Sequence, residues 1–439
     1  MKTYQKLLIS AALMPLATAL YAADAKPSDT PVSDYLSNKP SVVTKVSISA
    51  KETFDNNMYL TSVTNGTNIA NKETLITSVT PSITTDYTVS AALKINLGYV
   101  ADVNIYHADS NESYTRHTGT IKLTDTEGDW GYNIAGSFLL NDGSKTAPQY
   151  TGAWGSPSIG GGERWGRRAY DLLNGSFSIS YTGGNLLVRP VADVRAQIFH
   201  TNKSTATGYQ NFENRGWNTE GIDLGWKSSS TLTTYIGWRT GHMYQDNYFG
   251  VNNNYSNDIS RVLLGMEGSI NSWWKINLLA GNDSRTFTTA AVALNPLNLK
   301  KQFLWSNTSM TLTPTKEDSI TFSWVRFLQV ASTGRNAYED QNAEVQWRHT
   351  LGSYTFGCGY RIAEGNYLQG SRRDELDYMN FMVGYKFDAN NSISIDYQHT
   401  GCNNSVANGA ALLAANPLND VGNRGFSRNI FSFTYKLAL

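Results

Sequence analysis

The feature that most restricts the fold is an apolar–polar alternation of period two that recurs along the chain to its last residue. Leu93, Ile95, Leu97, Tyr99, Ala101, Val103 and Ile105 alternate with Lys94, Asn96, Gly98, Val100, Asp102 and Asn104. Such a run exceeds the usual soluble strand of about five or six residues. It suits a tilted strand that crosses a bilayer, which needs about ten. Val188, Pro190, Ala192, Val194, Ala196 and Ile198 alternate likewise with Arg189, Val191, Asp193, Arg195 and Gln197. An open sheet in lipid leaves edge backbone groups unpaired, so strands of this kind have to close on themselves.

The same pattern, followed along the chain, predicts strands over 43–54, 74–86, 89–107, 113–124, 129–140, 169–182, 186–200, 215–227 and 231–244. It continues over 258–270, 273–288, 300–313, 318–331, 340–350, 353–366, 375–388, 391–402 and 425–438. The connections alternate between short turns, such as Tyr87-Thr88, Leu351-Gly352 and Ala389-Asn390, and mostly longer loops, such as 141–168 and 403–424. Short turns at one end and loops at the other predict an all-β, antiparallel, up-and-down transmembrane barrel of the outer-membrane type. It has about eighteen strands, or sixteen if the first segment, or the one opening at Asp340, is not inserted. An even count places both termini on the periplasmic side. Trp130, Trp226, Trp273, Trp274, Tyr354, Tyr385 and Phe387 cluster near strand ends, where aromatic girdles mark the interface between headgroups and hydrocarbon.

Composition agrees. Charged residues are 16 % and aromatics 12 %, and mean hydropathy is −0.37. Beyond the N-terminus no apolar run reaches the roughly twenty residues of a membrane helix, whereas a barrel needs only alternate residues to be apolar. Zero formal net charge gives no pull towards nucleic acid. Lys2 and Lys6, the apolar stretch Leu7 to Leu20 and Ala23-Asp24-Ala25 predict a cleaved export signal over 1–25, a periplasmic lead over 26–42 and the barrel over 43–439. Cys358 and Cys402 fall on strands separated by another strand, about 9 to 10 Å apart from sheet spacing and outside disulfide reach.

The segment Thr53-Phe54-Asp55-Asn56-Asn57-Met58-Tyr59-Leu60, followed by Thr77-Ser78-Val79-Thr80-Pro81, resembles the N-terminal region of the β-barrel porin type 2 family. Tyr385-Lys386-Phe387 with Ser392 to Tyr397 is similar to that family's closing hairpin. The resemblance implies a porin-like barrel, a fold sometimes associated with polysaccharide export, and it brings no catalytic residues. The final alternation Phe431, Phe433, Tyr435, Leu437, Leu439 resembles the signal by which the outer-membrane barrel-assembly machinery recognises its clients, with leucine where an aromatic is usual.

Charges that share the polar parity are the candidate pore-lining set: Lys94, Asp102, Arg189, Asp193, Arg195, Arg261, Glu267, Lys275, Glu344, Arg348 and Arg361. Fixed charges along a pore set ion selectivity and orient polar solutes. The loop 141–168 carries Trp154, a triple glycine and Glu163-Arg164-Trp165-Gly166-Arg167-Arg168, which makes it the candidate constriction loop. Arginines beside tryptophans bind anionic groups and sugar faces. The histidines are scattered, with no His-Glu-x-x-His and no Gly-x-Ser-x-Gly, so neither an enzyme nor a metal or cofactor site is expected. His200 and His242, although on different hairpins, are the two that can approach each other with Asp246 nearby. The expected functions are passive diffusion of small hydrophilic solutes, export of a secreted polysaccharide, or a non-conducting structural or adhesive barrel. The expected surroundings are outer-membrane lipid and lipopolysaccharide, with a homotrimer by porin analogy.

Overall fold

The computed structural model describes residues 41–58, 73–143, 169–200, 214–246, 255–288, 300–330, 337–368, 372–406 and 426–438. Its strands are β1 (Ser41–Asp55), β2 (Thr74–Thr88), β3 (Lys94–Tyr106), β4 (Tyr114–Glu127), β5 (Trp130–Asn141), β6 (Tyr170–Gly183), β7 (Leu186–Phe199), β8 (Arg215–Lys227) and β9 (Leu232–Gln245). The remainder are β10 (Asn257–Asn271), β11 (Trp274–Phe287), β12 (Lys300–Leu312), β13 (Asp318–Val330), β14 (Ala337–Leu351), β15 (Tyr354–Tyr367), β16 (Arg372–Lys386), β17 (Asn391–Val406) and β18 (Phe426–Ala438). Each pairs antiparallel with its sequence neighbours, and β1 pairs with both β2 and β18, closing an 18-stranded barrel.

The registers put the apolar parity outside. Phe431, Phe433, Tyr435, Ile395, Val383 and Phe381 are all exposed there, as are Val262, Leu264, Ile236 and Trp238 on the other flank. Beside the short turns the aromatics pack in tilted pairs, Trp130 with Tyr181 at 5.0 Å between centroids and Tyr354 with Tyr385 at 4.9 Å. Cys358 and Cys402 take opposite parities on β15 and β17, and both thiols are free.

One turn departs from expectation. The segment 89–107 does not form strand from its start: Thr88 still pairs with Lys94, and the turn is Val89 to Leu93. Ser90 Oγ accepts from the backbone N–H groups of Ala92 and Leu93, a local bond that competes with the ladder. Two other turns show their chemistry plainly. Gly352 has φ 57°, a conformation that favours glycine. The Asp388 carboxylate accepts from the N–H groups of Asn390 and Asn391, at 2.7 and 2.8 Å, and these bonds hold its pKa below the ordinary value. That contribution is present above the carboxylate range and is lost as pH falls through the lowered pKa.

The segment that carries the family resemblance secures the closing seam. Asp55 accepts from Arg428 Nε at 2.9 Å, Asn57 Nδ2 donates to Ser427 O, and the Asn429 N–H donates to Asn56 Oδ1. Met58 is buried against Ile76 and Tyr106.

At the loop end the barrel is not a uniform cylinder. The β12–β13 ladder runs only from Leu312–Ile320 to Ser306–Arg326, so Lys300–Trp305 on one strand and Phe327–Val330 on the other are unpaired with each other. The β13–β14 ladder itself continues to Val330–Ala337. Above Arg326 β13 separates from β12 and leans inward, while β14 stays paired with β15 up to Tyr338–Tyr367. Leu328, Val330 and Ala337 have the outward parity of their strands, yet they are buried against Met243, Ile259, Phe287 and Phe303 of the inner wall.

Candidate functional site

Behind the hairpin, inner-facing charges of β7 to β11 form a chain of alternating sign. Arg189 donates to Asp223 Oδ2 at 3.0 Å and to Glu267 Oε1 at 2.6 Å, and Arg239 donates to Asp223 Oδ1 at 2.7 Å. Arg261 lies opposite Arg239 in the register and donates to Asp283 Oδ2 at 2.5 Å, while Arg285 Nε donates to Asp283 Oδ1 at 2.6 Å. Asp283 is 0 % exposed and Asp223 1 %. Ring faces cover part of the cationic surface: Arg189 lies over Tyr235 at 4.7 Å and Arg261 over Trp305 at 4.0 Å. Gly237 makes room for this. A Cβ there would stand 2.4 Å from Asp223 Oδ1 and 2.6 Å from Leu263 Cδ1.

In front of the hairpin is a cavity of 390 Å³ lined by Arg195, Arg215 and Arg361, by Asp340 and Glu344, and by uncharged side chains including Tyr338, Gln329 and Asn342. The hairpin supplies one wall, and Arg215 Nη1 donates to its Val330 carbonyl at 2.7 Å. Arg195 lies over the Trp217 ring at 5.0 Å, and Arg361 over Tyr378 at 5.0 Å. Arg361 Nε is buried without an acceptor among the described residues. Three guanidinium groups face two carboxylates here, so the formal excess is one positive charge.

No protein-family profile matches the sequence, and no curated protein does. The solved structures it resembles are outer-membrane barrels. OpdO of Pseudomonas aeruginosa is 9 % identical with a TM-score of 0.44, covering 90 % of this chain and 97 % of its own. OccK2 (OpdF) of Pseudomonas aeruginosa, solved in complex with glucuronate, is 8 % identical with a TM-score of 0.43, covering 90 % and 98 %. A loop L8 deletion mutant of OmpT, an outer membrane protein of Vibrio cholerae, is 10 % identical with a TM-score of 0.35, covering 91 % and 99 %. At that distance the residue-level chemistry has to come from this chain, and the porin type 2 resemblance finds no match.

All of the predicted pore-lining charges occupy the inner-facing parity. Arg189, Arg261 and Glu267 join the ion-pair chain, and Arg195, Glu344 and Arg361 meet at the cavity. Asp102 binds Arg116 Nη2 at 2.8 Å and Thr80, away from both groups. Asp193 adjoins the ion-pair chain, within electrostatic reach of Arg239, Arg261 and Asp223. Lys94, Lys275 and Arg348 stand elsewhere on the same face. Trp154, Glu163, Arg164, Trp165, Arg167 and Arg168 lie outside the described residues. Among the described residues, the upper edge of β13 is a segment that packs on the inner wall.

The histidine grouping is corrected. His200 and His242 point outward on different hairpins, His200 Nε2 at 3.0 Å from Asp171 and His242 Nδ1 at 2.9 Å from Asp258. Neighbouring outward carboxylates hold each ring where it is. Arg215, Asp223, Arg239, Asp283, Arg285 and Asp340 are site residues that the sequence reading missed. For Asp223 the signal was present, since it alternates with Ile222 and Leu224. For Asp283 and Arg285 it was hidden, because their outward neighbours Asn282, Ser284 and Thr286 are polar too.

Proposed function

We propose that the protein is an outer-membrane channel for passive diffusion of small hydrophilic solutes, with its termini on the periplasmic side. The observation that carries the reading is the charged cavity beside the in-folded hairpin, set inside a closed wall whose outer face is apolar. Eighteen strands enclose more space than side chains fill, so water enters wherever a segment does not occupy it. The hairpin and its apolar packing take up the sector in front of β9 to β12, and solute passes on the cavity side. A sheet edge turned in against the inner wall leaves less open lumen, which favours small solutes over an extruded polymer.

Arg195 and Arg361 act as the selectivity charges, since they face the cavity with no carboxylate salt bridge among the described residues. Purified protein in planar bilayers is expected to show stable unitary conductance with a mild preference for anions under a salt gradient. The Arg195→Gln/Arg361→Gln variant is expected to shift the reversal potential towards cations at nearly unchanged conductance. A silent wild-type protein would remove the channel reading. An unmoved reversal potential would remove the assignment of these two arginines.

A further inference from the structure

We propose that the lumen holds a binding site for a small zwitterion, a solute of the amino-acid type, between Glu344 and Arg361. The proposal deepens the channel reading and rests on it. It starts from an ion pair that the register invites and the structure leaves unmade. Glu344 of β14 and Arg361 of β15 stand directly opposite one another on the inner face, in a row with Ser323 and Tyr378. Opposite charges at such positions lie about 5 Å apart at Cβ and ordinarily pair. Here each turns to a different neighbour. Glu344 Oε1 accepts from Gln346 Nε2, two residues along its own strand, and the Arg361 guanidinium lies over the Tyr378 ring at 5.0 Å.

Both side chains are half-buried, and both line the cavity with bonding positions left open. Among the described residues Glu344 Oε2 receives no donor and Arg361 donates to no acceptor. The Arg361 Nε position is itself buried. A buried donor without an acceptor costs free energy until a ligand supplies one.

A zwitterion satisfies both positions at once. Its ammonium donates to Glu344 Oε2, and its carboxylate accepts from Arg361, whose planar fork suits two oxygens. The rest of the solute meets Val325 and Phe327, which line the cavity from the inner face of β13, so an apolar side chain is accepted. A solute with only a carboxylate leaves Glu344 unpaired beside it. A solute with only an ammonium meets Arg195 and Arg361 with no anion to offer them. The site therefore selects opposite charges on one molecule rather than charge of one sign.

The test uses the full-length protein and three forms of one molecule: leucine, N-acetylleucine, which keeps only the carboxylate, and leucinamide, which keeps only the amine. In planar bilayers leucine is expected to reduce the unitary current saturably. The other two are expected to act about tenfold more weakly, the effect of losing one charge-assisted hydrogen bond. Glu344→Gln is expected to weaken leucine binding by a similar factor and to leave N-acetylleucine binding no weaker, a split that a loss of packing does not produce. Arg361→Gln is expected to weaken both. Equal binding of leucine and N-acetylleucine by the wild-type protein overturns the zwitterion site. A conducting channel indifferent to all three molecules also overturns the site and leaves the channel reading standing. Calorimetry in detergent separates the remaining cases. Leucine bound by a protein that does not conduct supports the site and overturns the channel, and a protein that neither conducts nor binds leucine overturns both.

Discussion

Replacing Asp283 with Asn is expected to destabilise the barrel by about 3 to 5 kcal/mol, the usual cost of removing one partner from a buried ion pair. The carboxylate is fully buried and is the shared acceptor of Arg261 and Arg285. Arg285 is itself 1 % exposed, and its other contacts are neutral: Asn257 Oδ1 at 3.0 Å, Met243 Sδ and the Phe303 ring. Losing the charge at Asp283 therefore strands two guanidinium groups between the inner wall and the in-folded hairpin. Urea titration of the protein refolded into lipid vesicles measures the loss. Asp318→Asn, at an exposed turn beside Thr315 and His349, is the comparison and is expected to cost far less. Equal losses at the two sites would contradict the proposed weight of the buried chain. A double variant with Arg261→Gln is expected to recover part of the loss, because one stranded cation is gone.

The strand pattern was legible because it follows from one solvent boundary. A wall that separates lipid from water forces every second residue to be apolar, and β4 to β13 begin and end within a few residues of the places the alternation predicted. Where the boundary disappears, so does the signal. Val89, Ala91, Ala92 and Leu93 prolong the apolar character of β3 into its turn, and only the Ser90 hydroxyl marks the break. The hairpin is the larger case. Leu328, Val330 and Ala337 obey the parity of a lipid-facing strand while facing an apolar surface inside the barrel. Period two records which residues share a face but not what that face meets, and a protein core and a lipid tail ask for the same side chains. Arg326, the one charge in the apolar row, stands where the strand leaves the wall.

Charge pairing was illegible for a different reason. Parity placed Arg189 and Glu267 inside together, but their contact joins β7 to β10 across two intervening strands, with Asp223 and Tyr235 between them. Sheet curvature decides that contact, and no spacing along the chain encodes it.

Leu264→Arg is expected to cost about 2 to 4 kcal/mol in vesicles, the penalty for a cation on the lipid face of a barrel near the bilayer midplane. Leu264 is the middle residue of β10, 68 % exposed on the outer face, between Ile236 and Ala280 of the neighbouring strands. Asn277→Arg supplies the contrast. It places the same side chain on the inner face opposite Glu267, where water and a carboxylate receive it, and its expected effect is small. The difference between the two variants isolates the medium from the side chain, because both sit in well-paired strands of one hairpin. If the outer face met water, the arginine at position 264 would be as harmless as the one at 277, and the apolar wall would need another explanation. If it meets hydrocarbon, the penalty shrinks as the substitution moves towards Ser260, nearer the strand end, and that gradient is measurable in the same titration.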